Sequence, residues 1–247
     1  MEKLTVLKSF QLVTDTVKNL RDKTAIILWS SFILLTLWGF KGNPVAVFPK
    51  SWRKALLPDL AWRDQLVSYV VGFILLVVIP CCIIKFRFKE RLSDYGLGWP
   101  KDRIKSGLVT VVVLFVVTLP LFVLGTGDPG IQKEYPMFGD SIAKGAWSSF
   151  IVYELVHFLF FIVIEFIFRG YLLFGLYRSR VFGSYAILVQ MLGYSMWHVS
   201  KPVPEYIGAL FFGVIVAAIA LRIKSIWPII IVHWSLNVAM DTILWLK

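Results

Sequence analysis

The sequence predicts an all-α fold, a polytopic transmembrane helix bundle of about seven spans. Three observations predict it. Of the 247 residues, 58% are hydrophobic and 17% charged, with a mean hydropathy of +0.75; a soluble domain is about half apolar and about a quarter charged. Apolar runs of about 20 residues, the length that crosses a bilayer, recur along the whole chain. Breakers punctuate the gaps between them, at Gly42-Asn43-Pro44, Gly96 to Pro100, Gly127 to Gly130, and Pro202 with Pro204.

Taken in order, the runs lie at 24–41, 65–86, 107–125, 146–175, 181–199, 205–222 and 225–246. Residues 1–23 are mixed polar, and the first run is followed by no small-residue cleavage pattern, so no cleavable signal is expected. Residues 44–60 are too charged to span and are expected as an added helix at the interface. Cys81 and Cys82 are adjacent; neighbours rarely bridge and two cannot build a zinc site, so they read as packing residues. The fourth run is longer than a straight crossing needs, and is expected to tilt or to extend beyond the bilayer. The chain reads as one integral membrane domain over 1–247.

Basic residues set the orientation. The segment 85–105 carries seven of them and is expected in the cytoplasm, while the acidic 126–145 loop is expected outside. Arg178, Arg180, Arg222 and Lys224 then fall on the cytoplasmic side by alternation, the N-terminus lies inside and the C-terminus outside. The loop 41–63 is discordant, with five basic residues on the outer side. The net charge of +11 comes without basic patches interleaved with aromatics. It therefore points to anionic lipid and not to nucleic acid.

A charged residue at bilayer depth costs roughly 2.5–3.5 kcal/mol, so such residues tend to face the bundle interior and carry function. The candidates here are Glu154, His157, Glu165 and Arg169 on the fourth run, His198 near the end of the fifth, and His233, Asn237 and Asp241 on the seventh. All three histidines of the chain fall in predicted spans. Glu165 and Arg169 are i, i+4 and can pair. Glu154 stands about three turns earlier on the same face, and with His157 at i, i+3 the two can satisfy one another. His233 and Asn237 are i, i+4, and Asp241 continues the row. A carboxylate and an imidazole can hold a water and take its proton; an imidazole and an amide can donate to an oxyanion. Composition alone leaves enzyme, transporter and channel open, although no internal repeat of the transporter kind is present.

Three motifs resemble those of the CPBP intramembrane proteases, the family of the Ras-converting CAAX prenyl endopeptidase and of bacteriocin self-immunity proteins. The family's E-E-x-x-x-R reads I-E-F-I-F-R-G at 164–170, its F-x-x-x-H reads Y-S-M-W-H at 194–198, and its H-x-x-x-N reads H-W-S-L-N at 233–237. The resemblance extends over about 92–240, including L-S-D-Y-G-L-G-W-P at 92–100. It implies an endopeptidase that cuts near the cytoplasmic face or within the membrane. Glu165 and His198 would activate water, His233 and Asn237 would hold the oxyanion, and Arg169 would order the acid.

The first glutamate of the pair is here Ile164, and three readings stand open. Glu165 is the working carboxylate; Glu154 supplies one from about 16 Å along the helix; or the protein is inactive and acts as an immunity or scaffold protein. No cofactor is required on the preferred reading, and Glu165, His198 and His233 are the donors for zinc on the other. The expected partners are a peptide or protein substrate, lipidated or not, and the lipid bilayer. The expected location is the cell membrane of a prokaryote.

Overall fold

The structure, a computed structural model, describes residues 14–15, 21–39, 51–52, 62–99 and 103–247. The expected interfacial helix at 44–60 lies outside the described residues except for 51–52. Among the described residues seven apolar helices follow one another: α1 Lys23–Gly39, α2 Arg63–Arg87, α3 Ile104–Gly125, α4 Trp147–Tyr177, α5 Ala186–Trp197, α6 Val203–Ile223 and α7 Trp227–Leu246. The described residues contain no strand. Five of the helices, α2, α3, α4, α6 and α7, are long and apolar enough to cross a membrane. The all-helical bundle is as the sequence predicts.

One expected span comes out shorter. The fifth run, expected over 181–199, yields only the 12 residues of α5. The apolar signal there runs through non-helical chain. Gly183 has φ +45° and forms a turn before α5, and His198 leaves helical geometry after it. Twelve residues rise about 18 Å, short of the roughly 30 Å of hydrocarbon.

α4 is the axis of the molecule. It contacts α1, α2, α5, α6 and α7, and every residue from Phe166 to Phe174 is buried. Those nine residues are wound as a π-helix, a wider turn that recurs where a helix carries function. α2 has two shorter π stretches, Ile74–Val78 and Ile83–Arg87, flanking Pro80. The proline ring denies the helix one hydrogen bond, and the widened turns absorb the gap. α3 packs on α7 and α6. It turns Leu108, Val112, Val116, Leu121 and Leu124 outward, a surface suited to acyl chains. Cys81 and Cys82 are unbridged, one half-buried and the other exposed.

Each end of the bundle is tied by its own loops. At one end Lys23 donates to both oxygens of Glu90 (2.6 and 2.7 Å), and Tyr95 donates to Glu90 as well (2.7 Å). Burial pushes the Glu90 carboxyl up, but Lys23, Tyr95 and Arg178 outweigh it and hold it below the usual carboxylate range. The 92–99 segment lies across this end. Gly96 accepts from the Ile226 amide, Leu97 accepts from the Trp227 indole, and Arg178 donates to the Asp94 carbonyl. Gly96 has φ +79°, and a Cβ there would stand 2.9 Å from Ile226 and from Phe174. The basic 85–99 stretch, Arg178, Arg222 and the start of α7 thus gather at one end. At the other, Lys247 donates to Thr126, Trp245 to Ile142, Gln65 to Met137, and Lys201 pairs with Glu134.

Candidate active site

The short α5 brings His198 to mid-bundle. Its rise is about 18 Å, and Glu165 stands the same distance, about 18 Å, from the end of α4 at Tyr177. The two groups therefore reach a common depth. This removes the mismatch that a full-length fifth span would create.

Glu165 is fully buried. Its Oε1 takes the Nδ1 proton of His233 at 2.7 Å and an N–H of Arg169 at 3.3 Å. The Arg169 guanidinium lies 3.9 Å over the Tyr194 ring, a contact that offsets part of the cost of burying a cation. The i, i+4 pair expected from sequence is therefore present. It serves as a backing for His233, whose side chain keeps 17% exposure on the opposite side.

A cavity of about 310 Å³ adjoins this pair. His198, His233 and Asn237 line it together, with Tyr69, Phe161, Ile164 and Tyr194 at depth. Its walls carry Trp38 stacked on Trp197 at 4.6 Å. Its lining continues to Tyr135, Met137 and Lys201, on the loops at the end opposite Glu90 and Arg178. The cavity therefore addresses that end, not the end that gathers the basic loops.

The predicted groups divide into three. His198, His233 and Asn237 share the cavity. Glu165 and Arg169 stand behind His233, and Glu165 does not line the cavity; Ile164, at the position of the missing glutamate, does. Glu154 is apart from Glu165 and faces His157 and the α7 residue Asp241. The zinc donor set Glu165, His198 and His233 is not gathered as a set among the described residues; the grouping that is gathered is Glu154, His157 and Asp241.

Sequence reasoning missed Glu205. This residue lines the cavity in the first turn of α6. Its Oε1 accepts from the Tyr135 hydroxyl at 2.9 Å and stands 3.8 Å from His198 Nε2, while Oε2 is buried without a partner. Burial and the Glu205 charge push the Tyr135 hydroxyl well up, so it stays a donor. A glutamate beside Pro204 in a first turn reads as a helix-dipole partner, and nothing in its spacing marks it further. Tyr135 and Trp38 come from loops and helices remote in sequence and carried no signal.

The tautomers follow from the bonds. The Tyr194 carbonyl can only accept, so His198 Nδ1, 2.8 Å away, carries the proton, and Nε2 is left as an acceptor toward Glu205. His233 likewise carries its proton on Nδ1, toward Glu165. The Asn237 amide donates to Asp241 Oδ2 at 2.9 Å. The site can thus take a proton at His198 and Glu205, and can support an imidazolium at His233 against Glu165.

Membrane-length helices packed around a cavity that holds two histidines, a carboxylate and an amide define a multi-pass membrane protein with a buried acid–imidazole site. Residues 146–239 match the family described as type II CAAX prenyl endopeptidase Rce1-like. The match runs from the start of α4 into α7, covering His198, Glu205, His233 and Asn237 and stopping short of Asp241. No curated protein and no solved structure matches the chain.

Proposed function

We propose that this protein is an intramembrane endopeptidase that hydrolyses a peptide bond in the cavity between α4, α5, α6 and α7. The observation that carries the reading is the convergence of His198, His233 and Asn237 on one cavity, with Glu205 beside His198. Water held by His198 Nε2 and Glu205 attacks the peptide carbonyl, and its proton passes to that pair. His233, as the imidazolium that Glu165 supports, and the Asn237 amide donate to the oxyanion. His198 returns the proton to the leaving amine. Glu165 and Arg169 are positioning residues in this scheme, and no cofactor enters it.

The basic loops gather at the end opposite the cavity mouth. With those loops in the cytoplasm, the N-terminus lies inside and the cavity takes peptide from the outer side of a prokaryotic cell membrane. The substrate class is then a secreted or membrane-tethered peptide, with any lipid tail lying in the bilayer.

Reconstituted protein offered a peptide library tests this. His198→Ala and Glu205→Gln are expected to lower kcat by about 10²–10⁴, with Tyr135→Phe intermediate. Equal turnover in wild type and both variants would refute the scheme.

A second reading is favoured by Ile164, which puts an alkyl group into the cavity where the family has its first glutamate. A non-catalytic immunity or scaffold protein follows from it. In that case Glu205→Gln and His198→Ala leave the cellular phenotype unchanged and no peptide is cut.

A further inference from the structure

One group of buried polar side chains lies beside the cavity and is only partly satisfied, its one close hydrogen bond being that from the Asn237 amide to Asp241 Oδ2. Glu154 and His157, on adjacent turns of α4, face Asp241, one turn beyond Asn237 on α7. A ligand atom from each lies within 4.8 Å of the others, and all three residues are buried. Both oxygens of Glu154, Nε2 of His157 and Oδ1 of Asp241 lack any hydrogen-bond partner. His157 Nδ1 is 3.6 Å from Glu154 Oε2, too long for a hydrogen bond. Among the described residues, no lysine or arginine pairs with either carboxylate. Arg169, the buried cation, is bonded to Glu165. Two carboxyls buried without a lysine or arginine beside them are costly to ionise together.

We propose that Glu154, His157 and Asp241 bind one divalent first-row transition-metal ion, of the zinc type. An imidazole nitrogen with two carboxylate oxygens is a three-ligand set that leaves a fourth position for water. The imidazole argues against magnesium and calcium, which take oxygen. The ion's two charges neutralise the two carboxylates. Bonds of about 2.0–2.2 Å draw the ligand atoms closer together, so loading tightens α4 on α7. Tyr69 stacks on His157 at 5.3 Å and shares a hydrogen bond with Tyr153, closing the site on one side. Tyr69 and Asn237 also line the cavity, which gives the ion its approach. Asn237 donates to Asp241, so the ion fixes the cavity amide as well. That last consequence rests on the peptidase reading; the metal site does not.

The test loads the full-length protein, purified in detergent, with zinc and then, after chelation and dialysis, with cobalt. Zinc is counted by mass spectrometry and cobalt is read by its visible absorption bands. Wild type is expected to hold about one ion per chain in a three-protein-ligand environment. Asp241→Asn and, separately, Glu154→Gln are expected to weaken zinc about tenfold to a hundredfold, with Glu165→Gln and His198→Ala within about twofold of wild type. Absence of zinc and cobalt uptake by wild type overturns the proposal, as does unchanged affinity in a folded Asp241→Asn or Glu154→Gln protein. Loss of zinc in Glu165→Gln and His198→Ala alone moves the ion to the cavity and overturns it equally. Zinc is read here without any peptide. A protein that loads zinc yet cuts nothing leaves the metal site standing, and one that cuts peptide yet takes up no zinc or cobalt refutes the site alone.

Discussion

Arg169 answers why a glutamate and an arginine sit in so apolar a stretch as 161–176. Each is affordable only because of the other, and the pair exists to hold His233. Arg169→Ala leaves Glu165 as an uncompensated charge beside one imidazole, and removing one partner of a buried pair costs about 3–5 kcal/mol. Unfolding in mixed detergent micelles is expected to show that loss; a variant as stable as wild type would show the pair to be idle. The spacing of Glu165 with Arg169 and of His233 with Asn237 was legible, because helical periodicity alone puts each pair on one face. The role of Glu165 was not legible. Adjacent helix positions point about 100° apart, and only the packed helix shows Ile164 turned to the cavity and Glu165 turned away. Glu205 was hidden for a different reason. Its partners Tyr135 and His198 lie 70 residues away and across a loop respectively, and a single sequence records no such meeting.

Among the elements, α5 is the one that hydropathy misjudges. Turn and cap residues on either side are as apolar as the helix, so the run reads as a full crossing, and only Gly183 hints at its true start. The other helices were placed to within a few residues, since long apolar runs bounded by glycine and proline leave little choice. The 90–99 segment, legible in sequence only as a breaker in a basic stretch and by resemblance, proves to be the strap that ties α1, α4 and α7 at one end. Its pH dependence follows from Glu90. The carboxyl sits below its ordinary value of about 4.5 in the folded protein. The stabilisation is therefore complete above that value and is lost as pH falls through the lowered one. Thermal unfolding of wild type and Glu90→Gln is expected to differ at pH 6 to 7 and to converge as pH falls through the lowered value. A gap that persists at low pH would remove the Lys23–Glu90 pair as its cause.

At the scale of the whole molecule, the two ends differ in charge and in access, and sidedness is testable directly. In a background of Cys81→Ala and Cys82→Ala, Lys201→Cys is expected to react with a membrane-impermeant maleimide in intact cells. Arg91→Cys is expected to react only after lysis. The reverse pattern would turn the cavity toward the cytoplasm and change the substrate class with it.

α5 carries one more implication. A helix that stops halfway leaves the cavity open beside it, so the hydrolysis proposed above would take place below the lipid surface without any segment having to move aside. The depth of that opening, fixed by how few turns α5 makes, would then dictate how deep a scissile bond must sit. Lengthening that helix by a turn would shift the cut along the substrate by a comparable span.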